Sequence, residues 1–264
     1  MSLNRLFRSL TSRSCSLKLC ASSKYLWPPG HTIKTFVMDR HPHNAVPEEL
    51  MAMLESGIKA WSQAGNISFA HVNTAEESDI RIKVTSDRRV SSKSLIGNLA
   101  LDEAKDRPTM ILSIPRNAPQ QDAYFTILHE LGHSLGFLHK HSSPNCTIQW
   151  DEGLVRCAYS HISDKDLEIE IFRREKAPDT DASPFDPESI MIYEFRAELT
   201  IGATEAIPQP ICLSETDHEW MLRFYPYPEA HKHRKASTRR HKIPKAGGGQ
   251  KRCLRPRSQE KRAF

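Results

Sequence analysis

Apolar residues recur with two different periods along the first half of the chain. Short runs in which apolar and polar residues alternate predict strands, whereas apolar residues three and four positions apart predict helices. Strands are predicted at 32–38, 67–72, 79–84, 94–101 and 109–114, the fourth as a short edge strand, and helices at 47–65 and 120–135. The order βαββββα predicts an α+β domain organised around the second helix.

The second half of the chain has a weaker pattern. Residues 142–186 are rich in turn-forming and charged residues, and they contain one predicted helix around 164–173. Ser214 is followed three positions later by Asp217, which is the spacing of a capping box and predicts a last helix that runs through Phe224. The C-terminal part of the domain is therefore expected to be irregular, with one well-defined helix at its end.

The first 23 residues differ in composition from the rest of the chain. They contain no acidic residue, and leucines at helical spacing alternate with arginines, serines and threonines. This composition is typical of a mitochondrial transit peptide, and the missing apolar core argues against a secretory signal. A disordered basic N-terminal segment without a targeting function explains the same composition. Mitochondrial and cytoplasmic locations therefore both stay open.

The last 36 residues, 229–264, account for the net positive charge of the chain. They hold 13 Lys and Arg residues against two acids, whereas the whole chain has a net charge of only +5. Few apolar residues are present, so a disordered basic tail is predicted. Nucleic-acid binding is disfavoured because this tail has no Phe, Tyr or Trp before Phe264 on which a base could stack. Residues 24–228 remain as the predicted folded domain, and no apolar run is long enough for a membrane span.

One segment, which begins in the second helix, has the spacing of a metal site: His129-Glu-Leu-Gly-His133-Ser-Leu-Gly136-Phe-Leu-His139. Histidines at i and i+4 lie on one helix face, and Gly136 permits a sharp turn that returns His139 as a third ligand. Three protein ligands with an open fourth position are typical of catalytic zinc, with Glu130 beside that position as a base. The alternative is an amphipathic helix whose histidines are only surface or core residues.

This array resembles the zinc signature of the metzincin metallopeptidases. Ser189-Ile-Met191-Ile-Tyr193 is similar to the Met-turn of the astacin-like branch, and the segments 107–110 and 213–217 are also similar to that branch. The resemblance spans about 24–227 and indicates a divergent member of microbial or fungal type. It implies a metzincin-type zincin fold, in which a twisted mixed sheet and the active-site helix form the N-terminal part and an irregular C-terminal subdomain closes the cleft.

The resemblance also implies a function, a zinc-dependent metalloendopeptidase that hydrolyses peptide bonds with a metal-activated water. In that reading His129, His133 and His139 bind Zn²⁺, and Glu130 is the general base. Tyr193 is a fifth ligand or an oxyanion partner, and Met191 is the apolar floor. The sequence alone also allows Met191 as an ordinary core residue and Tyr193 as a packed aromatic. A catalytically silent zinc module that binds peptides is the alternative function.

The expected substrate is a peptide or protein, bound in an extended form along the predicted edge strand by a monomeric enzyme. The chain departs from the family at Lys140, where astacins have a glutamate that anchors the processed N-terminus. No pro-segment cysteine or aspartate switch is evident, so control by a pro-segment stays open. Cys146 and Cys157 could pair, but their spacing does not show it.

Overall fold

The computed structural model describes residues 23–38, 46–174 and 183–228. The predicted basic tail and nearly all of the predicted leader lie outside these residues. The strands are β1 (Thr32–Val37), β2 (Ser68–His71), β3 (Ile80–Thr85), β4 (Lys93–Ser94) and β5 (Met110–Ser113). The α-helices are α1 (Glu48–Ala64), α2 (Gln120–Ser134), α3 (Glu152–Ala158), α4 (Asp164–Leu167) and α5 (Glu215–Phe224).

The five strands form one mixed sheet in the order β2-β1-β3-β5-β4. β1, β2, β3 and β5 are parallel, and β4 pairs antiparallel with β5 at one edge. In β1 the alternation follows the sequence, because Ile33, Thr35 and Val37 are buried while Thr32 and Lys34 are exposed. The sheet and the helices confirm the predicted α+β class with a mixed sheet.

β3 departs from simple alternation at Arg81. The sequence pattern places this charge on the solvent side, but the side chain is fully buried. Its guanidinium donates hydrogen bonds to the main-chain carbonyls of Ala100, Glu103 and Arg107. Burial lowers the pKa of the group. The charge therefore satisfies carbonyl groups of the loop between β4 and β5, which holds this loop against the sheet.

α1 packs against α2 and positions it. Trp61 is fully buried, and its indole nitrogen donates a hydrogen bond of 3.0 Å to the carbonyl of Leu128. Gly57 faces α2, where a Cβ atom would lie 3.0 Å from a methyl group of Leu131. The two helices can therefore approach closely, and α2 becomes a buried central element whose residues 127–134 are all buried.

The predicted edge strand at 94–101 is mostly wrong. Only Lys93 and Ser94 pair with β5, and Gly97–Asp102 is a 3-10 helix. Gly97 has φ +50°, in the left-handed region, and a Cβ atom there would clash with the carbonyl oxygen of Tyr25. A contact with the chain near residue 25, distant in sequence, therefore ends the strand, and local pattern could not show it.

The C-terminal part is irregular, as expected, but contains one helix that the pattern did not predict. This is α3, whose N-cap Asp151 accepts a hydrogen bond from the backbone of Leu154. The helix predicted around 164–173 is confirmed as α4 followed by a π-helical turn at Glu168–Phe172. The capping box of α5 is present in both directions between Ser214 and Asp217.

Among the described residues, no helix combines the length and the apolar character that a membrane span requires. Cys157 carries a free thiol, so the pairing of Cys146 with Cys157 does not form.

Candidate metal centre and catalytic cleft

α2 presents two of the three predicted ligands and ends immediately after them. His129 and His133 are one helical turn apart and buried. Gly136 has φ +98°, and a Cβ atom there would lie 2.9 Å from a methyl group of Leu26. Glycine therefore allows the chain to turn sharply at this point, and three residues later His139 faces back toward the helix.

The three imidazoles converge on one point. The Nε2 atom of His139 lies 3.1 Å from that of His133 and 3.1 Å from that of His129. Nitrogens that bind one zinc ion tetrahedrally at 2.0–2.1 Å are separated by about 3.3 Å. The observed spacing fits this value, and all three groups offer a ligand atom within 4.8 Å of one another. The structure therefore brings together the three histidines that the spacing predicted.

Hydrogen bonds on the far side of two rings set their tautomers. The Nδ1 atom of His129 donates to the carbonyl of Ile190 at 2.8 Å, and that of His133 donates to the carbonyl of Phe137 at 2.8 Å. A carbonyl only accepts, so the proton is on Nδ1 and the lone pair is on Nε2. Burial also lowers the pKa of His133 to about 4 and those of His129 and His139 well below their ordinary value. Neutral imidazole, the form that binds metal, is therefore favoured.

Glu130 lies beside this group with an unsatisfied oxygen. The side chain is 2% exposed, and its Oε2 atom has no hydrogen-bond partner among the described residues. Burial, with a contribution from Glu170, raises its pKa well above the ordinary value. A buried carboxyl group without a partner is costly unless a ligand satisfies it. Together with the three nitrogens, it fits a metal ion and the water that a hydrolase needs.

Tyr193 and Met191 lie on the segment 189–193, which packs against α2 and His139. The Tyr193 hydroxyl lies 2.8 Å from Nε2 of His139, and burial raises its pKa well above 10, so it stays protonated. Met191 is 2% exposed and packs under α2, where the absence of a side chain at Gly132 leaves room for its sulfur. Tyr193 therefore contacts His139, whereas Met191, from the same segment 189–193, packs against the helix that carries His129 and His133.

Sequence reasoning missed several residues that support the centre. Asp217 of α5 is buried and accepts hydrogen bonds from the Ser189 hydroxyl at 2.6 Å and the Ile190 amide at 2.8 Å. His141 is fully buried, stacks on His139 at 5.0 Å, and donates from Nε2 to the carbonyl of Glu170. The HxH spacing at 139–141 could have indicated the second ring. No local signal links α5 to the segment before Met191.

Lys140, the departure from the family pattern, is also buried. Its ammonium group donates to the Ser183 hydroxyl at 2.7 Å and lies 5.3 Å from the Trp220 ring centre. Its backbone amide donates to the carbonyl of Met191 at 2.9 Å. The ammonium group of Lys140 therefore lies against Trp220 of α5.

A helix with convergent histidines and an adjacent acid, set against a mixed sheet, defines a metal-dependent peptidase of the metzincin class. The chain belongs to the astacin family of peptidases, whose family model, Astacin, matches residues 22–210. It is a zinc metalloendopeptidase, and its substrates are peptides or proteins. The sequence matches no curated protein at a significant level.

Solved structures agree on the fold. A structure of myroilysin has a TM-score of 0.71 and 26% sequence identity, and the match covers 79% of this chain and 98% of that chain. A second myroilysin structure has a TM-score of 0.57 at 24% identity, covering 84% and 99%. High choriolytic enzyme 1, a hatching enzyme zinc-protease from Oryzias latipes (Medaka fish), has a TM-score of 0.51 at 20% identity, covering 80% and 98%.

Proposed function

We propose that His129, His133 and His139 hold the zinc ion of this endopeptidase and that Glu130 is its general base. The observation that supports this most directly is the convergence of three Nε2 atoms beside the unpartnered Oε2 atom of Glu130. Zinc held by these three histidines would supply Lewis-acid chemistry, which would polarise a peptide carbonyl and lower the pKa of water. The remaining steps are the work of the chain's own side chains.

Glu130 accepts the proton of the water that attacks the peptide carbonyl and passes it to the leaving amine. Burial raises the pKa of this carboxyl group above its ordinary value in the metal-free chain. Tyr193 is protonated and donates a hydrogen bond to the oxyanion that develops on the carbonyl. Met191 supports the histidines from below by packing alone.

The substrate backbone is proposed to pair with the outer edge of β4. This edge is shorter than the sequence suggested, since the pairing with β5 involves Lys93 and Ser94, extended by a hydrogen bond from the Leu95 amide to the Thr109 carbonyl. Main-chain hydrogen bonds at such an edge recognise an extended peptide of any sequence. Because one chain supplies all the proposed site residues, a monomer is the proposed active form.

The assignment is tested with the Glu130→Gln variant, which keeps the size of the side chain and removes the base. Zinc content and cleavage of a denatured protein are measured together, with Glu188→Gln as the control, since Glu188 is exposed. We expect one bound zinc in all three proteins, full activity in the control, and a loss of at least about 100-fold in Glu130→Gln. Undiminished cleavage by this variant contradicts the assignment. Bound zinc with no turnover by the unmodified protein supports the catalytically silent module instead.

A further inference from the structure

A cavity of about 350 Å³ opens beside the metal centre. It lies between the start of α2, the end of β5 and the segment after Met191. Phe125 and Tyr193 form the wall nearest the histidines: the Phe125 ring centre is 5.4 Å from that of His129, and the Tyr193 ring centre is 4.7 Å from that of His139. A peptide cleaved at the centre therefore places a side chain next to the scissile bond at the mouth of this cavity.

The deeper walls of the cavity are largely apolar. Ile114, Ala123 and Phe125 are buried core residues that line it. Such walls suit the aliphatic or aromatic part of a substrate side chain, because burial of each methylene group is favourable. An apolar wall alone does not select between a hydrocarbon side chain and a long side chain with a polar end. That selection depends on the polar groups of the cavity.

Two carboxylates face the cavity without a protein partner. Asp122 and Glu194 are half-buried, and within the described part of the chain neither side chain makes a hydrogen bond or an ion pair. Asp122 lies in the first turn of α2, where the helix dipole stabilises its negative charge. A carboxylate that is partly removed from water and has no partner gains from a cation that enters the cavity.

An amide and a guanidinium also border the cavity. The Nε2 atom of Gln209 is buried and has no partner among the described residues. A half-turn of this amide presents its oxygen, which can accept a hydrogen bond from a cation. Arg88 is the one cationic side chain on the wall, but it is exposed and already donates to Asn117. The cavity therefore has two unpartnered carboxylates against one engaged guanidinium at its rim.

We propose that this cavity selects substrates with a lysine or arginine side chain next to the scissile bond. The proposal rests on the peptidase function described above and names its substrate class. The methylene stem lies along Phe125 and Ile114, and the ammonium or guanidinium group pairs with Asp122 and Glu194. The charge of Arg88 weakens the preference for a basic side chain by repulsion, but Arg88 lies at the rim and does not block entry of the side chain.

Cleavage-site mapping tests the preference. The full chain digests a denatured protein, and mass spectrometry identifies the residues that flank each cut. We expect lysine and arginine to be enriched at a single position beside the cleaved bond. A peptide built from that map then compares lysine, glutamine and glutamate at the position by kcat/KM, with the expected order lysine, glutamine, glutamate.

Three variants assign the preference to the cavity. Asp122→Asn and Glu194→Gln are each expected to lower the lysine-to-glutamine ratio of kcat/KM about fivefold, as is usual for one partly exposed ion pair. Arg88→Gln is expected to raise the ratio by a similar factor. Glu188→Gln removes an exposed acid outside the cavity and serves as the matched control.

The experiments distinguish failure of the cavity proposal from failure of the peptidase function. Cleavage with no lysine or arginine enrichment, or with ratios that none of the three variants changes, overturns the cavity assignment and leaves the peptidase intact. Absence of cleavage counts against the peptidase. In that case fluorescence polarisation with the lysine and glutamine peptides still tests the cavity, since tighter binding of the lysine peptide must be lost in Asp122→Asn and in Glu194→Gln. Equal binding of both peptides overturns it.

Discussion

Replacement of Asp217 by alanine tests whether α5 holds the metal centre in place. The carboxylate is 4% exposed and accepts hydrogen bonds from the Ser189 hydroxyl at 2.6 Å, the Ile190 amide at 2.8 Å and the Ser214 amide at 3.0 Å. The carbonyl of Ile190 in turn accepts from Nδ1 of His129. A chain of hydrogen bonds therefore runs from the last helix to His129, a proposed zinc ligand.

The size of the effect follows from the groups that lose their partner. Alanine leaves two backbone amides and one hydroxyl unpaired, and each costs about 1–3 kcal/mol when water cannot replace the partner. Part of this is recovered, because burial raises the pKa of Asp217 and removal of the charge relieves that cost. We expect the free energy of unfolding to fall by about 4 kcal/mol. Looser support of His129 should weaken zinc binding by about 10- to 100-fold.

Two measurements separate these effects. Urea unfolding of the metal-free protein, followed by tryptophan fluorescence, gives the stability, and competition with a chelator gives the zinc affinity. Asp186→Ala is the control, because Asp186 accepts from the Ser214 hydroxyl at 2.6 Å and the Glu188 amide but has no bond to residues 189–191. It should lose about 1 kcal/mol and keep its zinc affinity. Asp217→Asn replaces the alanine variant if that variant does not fold. Unchanged zinc affinity in a folded Asp217 variant refutes the reasoning.

Two further predictions follow from the packing around the centre. Gly132→Ala places a Cβ atom 2.3 Å from the Met191 sulfur and 2.9 Å from Trp61, so we expect thermal unfolding to show a loss of about 2 kcal/mol. Gly57→Ala should cost less, because its nearest contacts are side-chain methyl groups at 3.0 and 3.1 Å, and equal losses in the two variants would contradict this reasoning. Burial raises the pKa of Glu170 from 4.5 to about 7. Between these two pH values the folded chain keeps a proton that the unfolded chain releases. The contribution of Glu170 to the free energy of unfolding is therefore fully present below pH 4.5 and is lost as the pH rises through 7. Glu170→Gln should therefore stabilise the metal-free protein by up to about 3 kcal/mol at pH 8 and have no effect near pH 4.5. Urea titrations at the two pH values measure the difference. A gain in stability that does not vary with pH would be inconsistent with burial of the charge as its cause.

The sequence alone determined the features that depend on short spacing. The positions of the three histidines and Glu130 follow from the helical repeat and one glycine, and the capping box of α5 follows from two residues three positions apart. The strands of the sheet follow from the alternation of apolar and polar residues, with the exception of the edge strand β4. These features are predictable because the interacting residues are close in sequence and the local geometry of helix and strand places them.

Only the tertiary structure decided which groups meet across the chain. Arg81 is buried because loop carbonyls distant from β3 accept its hydrogen bonds, and the edge strand is short because Gly97 approaches the backbone near residue 25. The same holds for Asp217 beneath the histidines and for the carboxylates Asp122 and Glu194 at one cavity. Each of these contacts joins segments at least 19 residues apart. Their burial and charge pairing depend on how whole elements pack, and no local pattern records that.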